Sequence, residues 1–126
     1  MTDAFARAQS LLGVPFRPHG RCPHLGLDCI GVVLWAYEIA GKTAPRYRLS
    51  DGSWPEIEAQ VSRWFEPATD GAVQEALLIT QRRRCFHFAV GGPTTFIHAD
   101  LRIGRIVETP LHGLEGPTRC YRRKEK

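Results

Sequence analysis

A chain of 126 residues suits one domain with one hydrophobic core, and a single domain over 1–126 is expected. Its 43% hydrophobic content excludes a disordered chain, and no apolar run of the length that crosses a bilayer is present. The formal net charge of +4 gathers in Arg82-Arg83-Arg84 and Arg122-Arg123-Lys124; it reads first as a solvated surface with no specific nucleic-acid partner, and second as attraction to a polyanion such as a cell wall or nucleic acid.

The first residues, Met1-Thr2-Asp3-Ala4-Phe5-Ala6-Arg7, lack the apolar stretch of a secretory signal. Synthesis and retention in the cytoplasm, or exit by another route, is the expectation. Without export, the four cysteines (Cys22, Cys29, Cys85, Cys120) are expected to be free thiols.

Residues 3–12 read as a helix with Phe5, Ala8, Leu11 and Leu12 inward, capped by Thr2 or Asp3 and stopped at Gly13. Prolines and glycines make 13–28 a loop. A second helix is expected from Cys29 to Ala40, ending at Gly41. It is apolar all round except Glu38, which predicts a buried, central element. After a loop over 42–52, Ser53 and Pro55 open a third helix over 53–65, with Ile57, Val61, Trp64 and Phe65 inward. Short strands follow near 73–80, 85–90, 94–99, 104–109 and 117–122. Helices first and strands afterwards predict an α+β fold, a helix packed on an antiparallel sheet.

Asp28-Cys29 stands directly before the central apolar run. That puts one thiol at a helix start, where backbone N–H groups and the macrodipole favour a thiolate. Cys85-Phe86-His87-Phe88-Ala89-Val90 alternates: Phe86, Phe88 and Val90 face one side, Cys85, His87 and Ala89 the other. Gly91-Gly92-Pro93-Thr94 reads as a turn into Thr95-Phe96-Ile97-His98-Ala99. Symmetry about Gly92-Pro93 sets Val90 opposite Thr95 and His87 opposite His98, with Cβ atoms roughly 5 Å apart. One imidazole then orients the other, as a nucleophile–base–orienter arrangement requires.

These pieces resemble the NlpC/P60 family of cell-wall cysteine peptidases, in the short branch found in tailed phages and phage-like particles such as gene transfer agents. The matching segments are Gly13-Val14-Pro15-Phe16-Arg17, Gly20-Arg21, Gly26-Leu27-Asp28-Cys29-Ile30-Gly31-Val32-Val33, His87-Phe88-Ala89-Val90, Ile97-His98-Ala99 and Gly104-Arg105-Ile106-Val107-Glu108. The resemblance implies a papain-like α+β fold whose central buried helix carries the nucleophile. It implies Cys29 as nucleophile, His87 as general base and His98 as third member, acting on amide bonds of peptidoglycan stem peptides. No metal or organic cofactor is implied. Partners would be the stem peptide and proteins of a phage-tail hub or tail tip, with the chain part of a virion or similar particle. Arg17, His19 and Arg21 precede the nucleophile and suit stem carboxylates. Asp28 stands with them on the substrate side, although capping the helix is its first expected role. Phe16, Ile30 and Gly71-Ala72 depart from the residues common in the family at those places.

Two other readings stand beside this one. A structural tail component could keep the fold without activity. His19, Cys22, His24 and Cys29 also supply four zinc-type ligands within a short stretch, which would make a zinc-stabilised nucleic-acid-binding module.

Overall fold

The computed structural model describes residues 4–39, 53–68, 76–82 and 85–124. Helix α1 (Ala4–Gln9) is followed by a two-residue ladder of β1 (Arg21–Cys22) and β2 (Gly26–Leu27). Helices α2 (Cys29–Ala36) and α3 (Trp54–Val61) come next. The strands are β3 (Phe65–Pro67), β4 (Leu77–Arg82), β5 (Cys85–Gly91), β6 (Thr95–Asp100), β7 (Arg105–Pro110) and β8 (Thr118–Arg123). They form one antiparallel sheet in the order β3-β8-β4-β5-β6-β7. The α+β architecture expected from the sequence is the one present.

Helix α2 begins where an acidic cap meets the apolar run. Asp28 has extended backbone, and its Oδ1 accepts from the Gly31 N–H at 2.8 Å. Every residue of α2 is buried except Trp35, which is 47% exposed. The all-round burial expected for this helix therefore fails on one face. The helix is also shorter than expected, with Tyr37 as its C-cap and Glu38 at φ 57. The expected stop at Gly41 and the loop over 42–52 lie outside the described residues.

The other helices are trimmed for similar reasons. α1 gives way to turns before Gly13, so Leu12 points outward at 43% exposure. Its expected caps, Thr2 and Asp3, lie outside the described residues. α3 keeps its Ser53 cap and buries Ile57 and Val61, but Phe65 has already joined β3. The Tyr121 hydroxyl donates to Glu58 at 2.8 Å and ties α3 to β8.

The main core lies between α1, α2, α3 and one sheet face, with Phe86, Phe88, Val90, Ile97 and Ile106 among its members. A smaller cluster of Ala76, Leu78, Ala89 and Phe96 covers the other face with Leu111, Leu114 and Cys120. The period-2 reading of β5 thus assigns Phe86, Phe88, Val90 and Ala89 to the correct faces. Cys85, at the start of the strand, is exposed.

The hairpin register differs from the expected one. Val90 pairs with Ile97 and Gly91 with Phe96. The Gly92 N–H donates to the Thr95 carbonyl at 2.8 Å, so Pro93-Thr94 form the turn, Gly91 ends the strand and Gly92 closes the hairpin beyond it. Gly92 is there for packing: a Cβ on it would stand 2.4 Å from the Phe5 ring of α1. Moving the turn by one residue slips the register by two, and an even slip keeps every side chain on its expected face.

Candidate active site

The site lies where β5 and β6 separate. β4 with β5 and β6 with β7 are each paired along six residue pairs, whereas β5 and β6 share only two. The Gly92–Thr95 bond sets the alternation of that ladder, and its hydrogen-bonding positions on β5 are the even-numbered residues. Phe88 is the next such position. Its N–H hydrogen-bonds the sulfur of Cys29. The first residue of α2 therefore meets β5 one residue along from His87.

His87 and His98 meet across the same opening. His87 Nε2 lies 2.7 Å from His98 Nδ1, and the rings are nearly perpendicular at 83°. His98 Nε2 lies 3.0 Å from the Thr109 hydroxyl of β7. The histidines are a diagonal pair rather than the directly opposed pair expected from the sequence, and diagonal neighbours on one face remain within reach of long side chains. Phe96 packs on the His98 ring with centroids 4.7 Å apart.

Burial sets the protonation of the group. The Cys29 thiol is pushed up to about 12 because burial opposes the thiolate more strongly than the Phe88 N–H stabilises it; Asp28 adds to the rise. This corrects the expectation of a partly ionised thiol. The helix-terminus field cannot offset removal of the sulfur from water, at 6% exposure of the residue. His87 is pushed down to about 4, by burial first and by His98 second. His98 is lowered by burial, and Asp100 partly restores it. At neutral pH the Cys29 thiol is therefore protonated and the His87 imidazole neutral.

A stability prediction follows from His87. Its folded-state value lies below the ordinary 6.5, so folding favours the neutral ring. That contribution is fully present above pH 6.5 and is lost as pH falls through about 4. Chemical denaturation at pH 7 and pH 4 should show a loss on the order of 3 kcal/mol from this residue. His87→Asn should reduce the difference by that amount. A pH 7 to pH 4 difference unchanged in His87→Asn would refute the assignment.

The residues ahead of the nucleophile divide into two groups. Asp28 is consumed internally: besides capping α2 it accepts from the His19 N–H at 2.9 Å and from Arg21 Nη1 at 2.8 Å. Arg21 also donates to the Gly20 carbonyl at 2.8 Å, so it braces the loop against the helix cap. Arg17 and the His19 ring are exposed, with His19 at φ 59. His19, Cys22, His24 and Cys29 do not assemble. Among the described residues, no three His, Cys, Asp or Glu side chains form a group able to hold a metal. None of the four cysteines is in a disulfide.

Thr109 and the Phe88 N–H went unnoticed in the sequence. A signal for Thr109 existed in the β6–β7 register, which pairs Phe96 with Thr109 and His98 with Val107. Thr109 is thus the diagonal neighbour of His98 on the same face. Nothing in the sequence signals the Phe88 N–H.

No family model and no curated protein sequence matches the chain. Among solved structures, it is similar to the crystal structure of the NlpC/p60 domain of the peptidoglycan hydrolase SagA. The TM-score is 0.64 at 18% sequence identity, over 93% of this chain and 94% of that one. The chain has the α+β fold of an NlpC/p60 domain, its central buried helix packed on an antiparallel sheet. Among the described residues, no helix is long and apolar enough to cross a membrane.

Proposed function

We propose that this protein is a cysteine peptidase that hydrolyses amide bonds in peptidoglycan stem peptides. The observation that carries the proposal is the 2.7 Å His87–His98 contact in the strand opening that also receives the Cys29 sulfur. Similarity to a domain described as part of a peptidoglycan hydrolase supports the substrate class.

In this reading the attack is base-assisted. His87 takes the Cys29 proton as the sulfur bonds to the stem-peptide carbonyl carbon, because the resting thiol is neutral. The oxyanion forms beside the α2 N-terminus, where the Cys29 backbone N–H and its neighbour are donors. Imidazolium at His87 then protonates the leaving amine and releases a thioester. Water, deprotonated by His87, attacks the thioester carbon, and the thiol departs with its proton restored. In this proposal Arg17 and His19, both exposed, bind the stem carboxylates, since Arg21 is held by Asp28. Delivery on a phage-type tail, with a tail-hub partner, completes the proposal and rests on the sequence resemblance.

The test is digestion of purified sacculi followed by mass spectrometry of the released peptides. Wild type should produce new amine and carboxyl ends within the stem peptide. If Cys29→Ala releases the same fragments, the proposal is wrong. The 6% exposure of Cys29 favours one second reading, a structural tail component with an idle site. Complete inactivity of wild type on sacculi from many hosts would select it.

A further inference from the structure

Thr109 belongs to no motif and stands half-buried in β7. Its hydroxyl, His98 and His87 nevertheless form an unbroken row: 3.0 Å from Oγ1 to His98 Nε2, then 2.7 Å from His98 Nδ1 to His87 Nε2. A neutral imidazole carries one N–H and one acceptor nitrogen. Each gap in the row holds one proton, so only two arrangements satisfy every atom.

In the first, His87 Nε2–H donates to His98 Nδ1 and His98 Nε2–H donates to the Thr109 oxygen. His87 Nδ1 is then a bare lone pair. In the second, the Thr109 O–H donates to His98 Nε2 and His98 Nδ1–H donates to His87 Nε2. His87 then carries its proton on Nδ1 and has no free basic nitrogen. The first arrangement puts both rings in the Nε2–H form, which a free neutral histidine prefers. It also requires an acceptor at the end of the row, because the His98 residue is only 8% exposed and an unpaired N–H there is costly.

We propose that Thr109 is a positioning residue: by accepting from His98 Nε2–H, it fixes His87 as the Nε2–H tautomer and leaves Nδ1 free to take the thiol proton. This rests on the reading of Cys29, His87 and His98 as the working group. Removing the oxygen favours the opposite arrangement, because the buried His98 N–H regains an acceptor only if its proton moves to Nδ1 and is donated to His87 Nε2. The proton at His87 must then shift to Nδ1. No heavy atom needs to move.

Thr109→Val keeps the β-branched shape and removes the acceptor; Thr109→Ser keeps the acceptor. Imidazole 15N NMR of the full chain at pH 7 reads the tautomers directly. Wild type and Thr109→Ser should show Nε2–H at both rings, and Thr109→Val should populate Nδ1–H at both. With sacculi as substrate, Thr109→Val should lower kcat roughly tenfold, about the value of one neutral hydrogen bond, with KM unchanged and Ser restoring the rate. Wild-type tautomers in Thr109→Val, or no recovery in Thr109→Ser, would overturn the proposal. Sacculi left intact by wild type would count against the peptidase reading, while the spectra would still decide the role of Thr109.

Discussion

His87→Ala is expected to reduce sacculus hydrolysis by about a thousandfold, the range typical of losing a general base. The loss should be close to that of Cys29→Ala, because a thiol pushed up to about 12 is not a useful nucleophile until a base removes its proton. His98→Ala should cost less, since His98 acts through His87 and a water molecule can replace part of its hydrogen bonding. The pH profile provides a second check. His87 works as a base only when neutral, and it is pushed down to about 4. The acid limb of kcat/KM should therefore fall near pH 4 instead of near the 6.5 of an ordinary histidine. Resting Cys29 should also react slowly with iodoacetamide at neutral pH. Rapid alkylation at pH 6 would mean a preformed thiolate–imidazolium pair and would displace this mechanism.

Gly31→Ala is expected to destabilise the fold by about 2 kcal/mol and to lower Tm by roughly 8 °C. A Cβ at Gly31 would stand 2.4 Å from the Gly20 carbonyl oxygen and 3.0 Å from Leu27 Cδ2. The obstacle is backbone, so it cannot rotate away. Alanine gains up to about 1 kcal/mol in helix propensity, which overlap of this size outweighs. Relief requires α2 to shift away from the Gly20 loop. That loop supplies the His19 N–H and Arg21 contacts to Asp28, so the cap that starts the helix is disturbed as well. Thermal melts of wild type and Gly31→Ala in one buffer decide the matter; a Tm change under 2 °C would show that the contact yields more easily than its geometry indicates.

Local chemistry was well legible in the sequence, and long-range geometry less so. An acidic cap before an apolar run marked the start of α2 to the residue, because capping is a contact between positions three apart. Alternation in β5 gave its faces, because pleating needs no knowledge of the partner strand. The register was not legible. Gly91-Gly92 looks like a turn, yet Gly92 is small to admit the Phe5 ring, a contact made across most of the chain. Trp35 was misread for a related reason: apolarity shows what a helix face tolerates, not whether another element arrives to cover it. The protonation of Cys29 was misread because the helix terminus is written in the sequence, whereas the burial that opposes it depends on the whole core. Thr109 was missed because its partner sits one strand over and two residues along.

The short β5–β6 ladder carries a mechanical meaning. The six strands behave as a four-stranded plank and a two-stranded plank, fastened at the hairpin by two residue pairs. His87 rides on one plank; His98 and Thr109 ride on the other. The hydrogen bond between the imidazoles therefore spans the two planks beyond the hairpin. The segment over 13–16, which bonds Gly104 and Ile106 of the outer plank, is thereby tied to the strands that carry His98 and Thr109.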